Sequence, residues 1–325
     1  MTHRRAFLAA LGTALVLRPV GTLGQPVAKP PRIGWLTSSV LHTRNLEAFR
    51  QEMQALGYRE MSLEVRAAEG KMDRLPALAA ELVALPLDVI VTDGGPAVVA
   101  ARGATTTMPI VIGAAAIDLV QQGVVTSLAR PGGNVTGFLI STGPELDGKR
   151  LELLREALPS LARVAVVWNP RNDANIHKVA SLGPPARALG VRLESIQARD
   201  VQDIERALAG GARRRVDAML ALADAFLWSQ RERIVALAAR HRLPAMYAEL
   251  DFSESGGLMA YGSSVAENFR RAAGYVDRIL KGAKPADLPI EQPAKFELMI
   301  NLKTARALGL TIPESLLVRA AHLVE

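Results

Sequence analysis

The feature that most constrains this chain is a strand-and-helix grammar written twice. From Pro31 onward, "RIGWLT", "SLEVRAAE", "LDVIVTD" and "PIVIGAA" read as four buried or half-buried strands. Between them lie "NLEAFRQEMQALGY", "RLPALAAELVAL" and "GPAVVAARGATT", which read as helices. In the first helix Leu46, Phe49, Met53 and Leu56 fall on one side, and Gly57 stops it. The second half repeats the order. "RVAVVWNP", "VRLESIQA", "VDAMLALAD" and "LPAMYAE" are strands, with helices at "KVASLGPPARALG", "VQDIERALAGGARRR" and "QRERIVALAARHR". Asp88 and Asp217 open the third strands, and Pro109 and Pro244 open the fourth.

Alternating strands and helices predict parallel sheets covered on both faces. Two copies predict an α/β fold of two Rossmann-like, doubly wound lobes. The tail adds a strand and helix at "GLMAYGSSVAENFRRAAGYVDRILKG" and another pair at "FELMINLKTARALGL". With "NVTGFLIS" these give three crossovers between lobes, near Gly137–Ser141, Leu258–Gly262 and Ile290–Phe296. The expected division is residues 32–138 plus 262–290 in lobe one, and 143–258 plus 291–325 in lobe two. Several parallel connections suit a hinge that closes around a ligand.

"STGPELDGKR" comes close to a phosphate-binding loop, since Gly143 and Gly148-Lys149 match G-x-x-x-x-G-K. Such a loop needs Ser or Thr next, to hold magnesium. Arg150 stands there, and Glu145 and Asp147 would repel a triphosphate. Acids in a first helical turn, followed by a Leu151, Leu154 and Leu158 stripe, read instead as an ordinary buried helix. No G-x-G-x-x-G follows the first strand, and no G-x-S-x-G elbow is present. The chain has no cysteine, and its five histidines are scattered, so no metal or cofactor is expected. A chain of this kind reads as a binder rather than an enzyme.

The formal charge is +7, but Arg4, Arg5 and Arg18 carry three of those charges before the first acid, Glu47. The other basic residues are interspersed with acids, as solvated helix faces are, so nucleic-acid binding is not expected. Residues 1–28 read as an export signal and linker. They have a basic start, a short apolar run from Ala6 to Leu17, then small residues and prolines. The apolar run is short for a bilayer span. Arg4-Arg5-Ala6-Phe7-Leu8 resembles a twin-arginine motif, while His3 and Ala9 depart from its flanks, so the export route is left open. The expected location is the periplasm, with no membrane span after cleavage.

Ligands of doubly wound sheets sit at the carboxyl ends of the strands. The most informative such loop is "VTDGGP". Thr92 and Asp93 end a strand, Gly94 and Gly95 let the backbone approach a ligand, and Pro96 suits a first helical turn. The N–H groups there would attract an anion. Ser38 and Ser39 follow the first strand, and Asp118 follows the fourth. In the second lobe the corresponding candidates are Asn169-Pro170, Asp224 and Tyr247–Glu249, with Tyr261 beside a crossover. Asp93, Asp118 and Asp224 also suit caps and turns. Trp35, Trp168, Phe226 and Trp228 lie near strand ends too, where a ring could stack or simply pack.

Several stretches together resemble one family: "PRIGWLTSS", "FRQEMQALGY", "DRLPALAAELVALPLDVIVTDGGPAVVAARGATTTMPIVIGAA", "SLARPGGNVTGF", "GKRLELLREALP", "HRLPAMYAE", "GGLMAYG" and "EQPAKFELMINLKTARALGLTIP". The family is the ABC-transporter substrate-binding proteins of the TrpX/YtrF-like type, a branch of the type I periplasmic binding proteins. The resemblance implies a monomer that holds one small polar or aromatic, amino-acid-like solute in the interlobe cleft. It also implies delivery to an ABC permease and its ATPase subunit. Carried onto this chain, the contacts would be Ser38, Ser39, Thr92, Asp93, Gly94, Gly95, Asp118, Asn169, Asp224, Tyr247 and Tyr261. The alternative is a ligand-sensing receptor module for a membrane signalling partner, which would use the same cleft.

Overall fold

Two separate sheets carry the chain, as the computed structural model shows for residues 29–141, 143, 145–200, 202–207 and 216–325. The export segment expected at residues 1–28 lies outside these described residues. The first sheet is built from β1 (Arg32–Thr37), β2 (Ser62–Ala67), β3 (Val89–Asp93), β4 (Ile110–Ala114), β5 (Val135–Phe138) and β11 (Ile290–Glu291). Its order is β2-β1-β3-β4-β5-β11, and all its pairings are parallel. The second contains β6 (Arg163–Trp168), β7 (Arg192–Gln197), β8 (Ala218–Ala221), β9 (Ala245–Tyr247), β10 (Met259–Gly262), β12 (Glu297–Asn301) and β13 (His322–Val324). Its order is β7-β6-β8-β9-β10-β12-β13.

Each sheet is covered on both faces, which is why its central strands are apolar throughout. In lobe one, α1 (Thr43–Ala55) and α11 (Val265–Leu280) pack on one face through Phe49, Met53, Phe269 and Val276. On the other face lie α2 (Leu75–Val83) and α3 (Gly95–Ala104). In lobe two, one face holds α4 (Glu145–Ala157), α6 (Gly183–Ala188), α12 (Leu302–Leu308) and α13 (Glu314–Arg319). The opposite face holds α7 (residues 202–207), α8 (Ala225–Ser229), α9 (Arg231–Arg240) and α10 (Asp251–Glu254). The stretch "KVASLGPPARALG", expected as one helix, divides into α5 (Asp173–Ser181) and α6. Pro184 and Pro185 cannot continue α5, but proline is tolerated in the first turn of a new helix.

One departure from an all-parallel sheet has a topological cause. β12 runs antiparallel to β10, and β13 returns parallel to β12. β12 enters lobe two straight from β11 of lobe one, not through a covering helix, so no crossover unit imposes a parallel direction on it. The chain changes lobe after β5, after β10 and after β11. These passages are tied together. Asn268 Nδ2 donates to Leu139 O at 3.0 Å, Ser263 Oγ to Ile140 O at 3.3 Å, and Leu139 N to Glu291 O at 2.9 Å.

The near-phosphate loop serves the core. Asp147 and Arg150, both buried, form an ion pair at 2.5 Å one turn into α4. The guanidinium also donates to Tyr261 O and Ala248 O, bolting α4 to the ends of β10 and β9. Among the described residues, no helix is long and apolar enough to cross a membrane.

Candidate functional site

In both sheets the strand order reverses beside the first strand of the lobe: β1 lies between β2 and β3, and β6 between β7 and β8. Loops leaving such strands part to opposite faces and open a crevice. The two crevices face each other across a cavity of about 360 Å³. Lobe one lines it from the loops after β1, β3 and β4, and lobe two from the loops after β6, β8 and β9.

The lobe-one wall is centred on Asp93 and the start of α3. Gly94 has φ 96°, and a Cβ there would sit 2.6 Å from Ser38 Oγ, so no other residue fits the turn without strain. Ser38 Oγ in turn accepts the Ala97 N–H at 3.1 Å. Pro96 has no N–H, which leaves that of Gly95, on the cavity wall, as the donor of this first turn. Asn45, also on the wall, is buried with no partner for its Nδ2. Asp93 Oδ2 is likewise shielded from solvent and has no partner among the described residues.

The lobe-two wall is acidic. Asp224 caps α8 by accepting the Phe226 and Leu227 N–H groups at 2.9 and 3.0 Å. It also accepts from Asn172 Nδ2 at 2.9 Å and Asn169 Nδ2 at 3.2 Å. Asp251 accepts from Trp228 Nε1 at 3.1 Å. Glu249 is buried beside them. Burial raises all four carboxyl groups. It lifts Asp93 to about 7 with help from Asp251, and Glu249 to about 8 with help from Asp251 and Asp224. Asp224 is raised by burial against the pull of its four hydrogen bonds, and Asp251 by burial and then by Glu254. Arg44 and Arg231 offset burial only in part at Asp251, as Arg150 and Lys178 do at Glu249, so a cation entering beside Asp93 would be favoured.

Contacts between lobes close the mouth. His42 of lobe one stacks on Trp228 of lobe two, with ring centroids 3.2 Å apart, and the Arg231 guanidinium lies over the Trp228 ring at 4.0 Å. Burial, then Arg231, pushes His42 down to about 3, so the imidazole is neutral at physiological pH. Ser39 Oγ lies 3.0 Å from its Nε2. Arg44 pairs with Glu254 at 2.5 Å across the same gap.

Of the residues singled out from sequence, Ser39, Asp93, Gly94, Gly95, Asp224 and Glu249 line this cavity. Ser38 and Asn169 stand behind the wall and hold it in place. Thr92 is buried in β3. Asp118 is exposed beyond the cavity, accepting the Val120 and Gln121 N–H groups. Tyr247 is fully buried in the lobe-two core, stacked on Phe252 at 4.5 Å. Tyr261 packs on Phe296 at 5.9 Å, away from the cavity. Sequence reasoning passed over His42, Asn45, Asn172 and Asp251. Their signal was only positional, since each follows a strand that already carried a candidate.

A family model described as "ABC transporter substrate binding protein" matches residues 42–324. The chain is 24% identical over 267 residues to a tyrosine-binding protein of Clostridioides difficile (strain R20291), covering 81% of this chain and 76% of that one. Its fold superposes with TM-score 0.82 on a conserved domain protein from Vibrio cholerae, at 29% identity, covering 91% of this chain and all (100%) of that one. It superposes equally, with TM-score 0.82 and 24% identity over 91% of this chain and 100% of the other, on an ABC domain in complex with L-Trp from Streptococcus pneumoniae.

Proposed function

Because the chain belongs to the ABC transporter substrate-binding family, whose members serve as non-catalytic solute carriers for ABC permeases outside the cytoplasm, we propose that its interlobe cavity is the solute site. The solute is amino-acid-like. Its ammonium sits among Asp93, Asp224, Glu249 and Asp251, and its polar oxygens meet Gly95 N–H and Asn45 Nδ2. An apolar or aromatic body rests against Ile117, Met72 and Trp228, which line the same cavity. The observation that carries this reading is the buried, partnerless Asp93 Oδ2 facing three further carboxyl groups with raised pKa values. A bound ammonium supplies the missing charge and converts a desolvation cost into attraction. The tyrosine-binding relative and the L-Trp complex belong to the same chemical class.

In this reading residues 1–28 direct export, and the mature monomer works in the periplasm, handing its solute to a permease as the lobes reopen. The test is a thermal-shift panel of L-amino acids and simple amines on ligand-stripped mature protein. A saturating solute at about 100 Kd adds roughly 2.7 kcal/mol of stability by mass action, which shifts the melting temperature of a chain this size by several degrees. A panel in which no amino-bearing compound raises Tm, or in which Asp93→Asn responds like the wild type, defeats the proposal.

A further inference from the structure

A second compartment, of about 390 Å³, adjoins the first and shares Ala116, Ile117, Gln122 and Ala174 with it. It runs along the first and third crossovers, past Leu139, Ser141 and Gln292. Of the charged side chains lining it, the buried one is a lysine, with Asp118 exposed at its edge. Lys178, on α5, lines it and is only 8% exposed. Among the described residues, no carboxylate lies within ion-pair distance of its ammonium and no acceptor bonds it.

The anions nearest to Lys178 are committed elsewhere. Asp147 is paired with Arg150, and Asp224 accepts four hydrogen bonds from Asn169, Asn172 and the start of α8. Asp118, at the edge of the same compartment, is turned to the Val120 and Gln121 N–H groups. Glu249 has its proton affinity raised by its surroundings and is a weak counter-ion at neutral pH. Burial works against the Lys178 charge more than these distant carboxylates support it. The Lys178 side chain is buried while its ammonium is not among the solvent-shielded atoms, so the charge opens on the compartment, where an anion entering beside it would be favoured. In a chamber open to the solute cavity, its partner is a group that arrives with the solute.

We propose that the Lys178 compartment binds an oxyanion, a carboxylate or phosphate, on the far end of the solute. This rests on the reading that the solute's ammonium sits in the acidic compartment, and it narrows the solute class to amino compounds carrying a second, distal negative group. Ile117 and Ala174 form the waist between the two compartments, and the solute's linker passes between them. Gln122 and Gln292 supply neutral donors around the oxyanion, suited to bonding its remaining lone pairs.

The probe is inorganic phosphate at low millimolar concentration and constant ionic strength, with Tm and calorimetric titration as readouts. Wild-type protein should show saturable phosphate binding. Lys178→Met and Lys178→Gln should bind it at least tenfold more weakly, while Lys303→Met, at an exposed lysine that lines neither compartment, binds it as the wild type does. A second arm compares L-tyrosine with O-phospho-L-tyrosine and L-glutamine with L-glutamate. The member with the extra oxyanion should bind more tightly to the wild type, and that preference should vanish in both Lys178 variants. Equal phosphate affinity in wild type and both variants, or no phosphate binding to any of them, overturns the proposal. Failure of phosphate alongside Asp93-dependent binding of L-tyrosine removes the second compartment's role alone. Lys178-dependent phosphate binding without binding of any amino compound removes the ammonium site alone.

Discussion

Asp93 concentrates the chemistry of the cleft at one atom. Its carboxyl sits at about 7 in the fold, against an ordinary value near 4 in an unfolded chain. Between those values the folded protein holds a proton that the unfolded chain has released, so raising the pH costs stability throughout that window. Glu249, at about 8, extends the loss upward. Ligand-free protein should therefore melt at a lower temperature at pH 8 than at pH 5, and Asp93→Asn should flatten part of that slope. Binding of an ammonium has the opposite sign, because it needs Asp93 ionised: affinity should rise as pH climbs from 6 to 8. An affinity that falls across that interval contradicts the assigned role. Asp93 and Asp224 were legible in the sequence because polar residues ending apolar strands stand out. Tyr247 and Tyr261 obey the same rule, yet their side chains turn into the core and onto Phe296. Nothing in the local pattern says which way a terminal strand residue faces. His42 was illegible for another reason, since its role depends on Trp228, 186 positions away and in the other lobe.

At the scale of elements, the docking of α11 on β4 sets where the second crossover begins. Gly113 of β4 makes that approach possible: a Cβ there would lie 1.9 Å from the Phe269 ring. Gly113→Ala should destabilise the protein by about 3 kcal/mol in urea denaturation, through overpacking of a rigid ring against a central strand. Gly103→Ala, in α3 with open space around it, should instead leave stability unchanged or raise it by up to ~1 kcal/mol. Equal effects at the two positions would show that the ring moves aside freely. Most strands and helices were readable from hydrophobic period and glycine stops. The break between α5 and α6 was also written in Pro184-Pro185, but reading a proline pair as a new helical start needs the packing of α6 on α4. The reversed direction of β12 depends on a connection between lobes, which strand composition does not encode.

Across the whole molecule, the repeated grammar implied two lobes and the loops implied a crevice. What the sequence did not carry is that buried carboxyl groups gather in one compartment of the crevice and a buried lysine lines the next, because these groups come from segments far apart in the chain. Across the cleft the lobes meet at the His42–Trp228 stack, at the exposed Arg44–Glu254 pair and at Met72, which packs against a core cluster of each lobe. An exposed pair of this kind adds little, so a solute bridging both walls would dominate the balance between open and closed forms. The chain has no cysteine, so labels can be placed at will: Glu47 on α1 and Glu232 on α9 are exposed and belong to different lobes. The decisive measurement is the distance distribution between spin labels at Glu47→Cys and Glu232→Cys, with and without a saturating solute that raises Tm. Closure of the lobes around the solute predicts a broad distribution in the stripped protein that narrows and shortens when the solute is bound. An unchanged distribution, with the solute still stabilising the protein, would place binding outside the cleft and contradict the account.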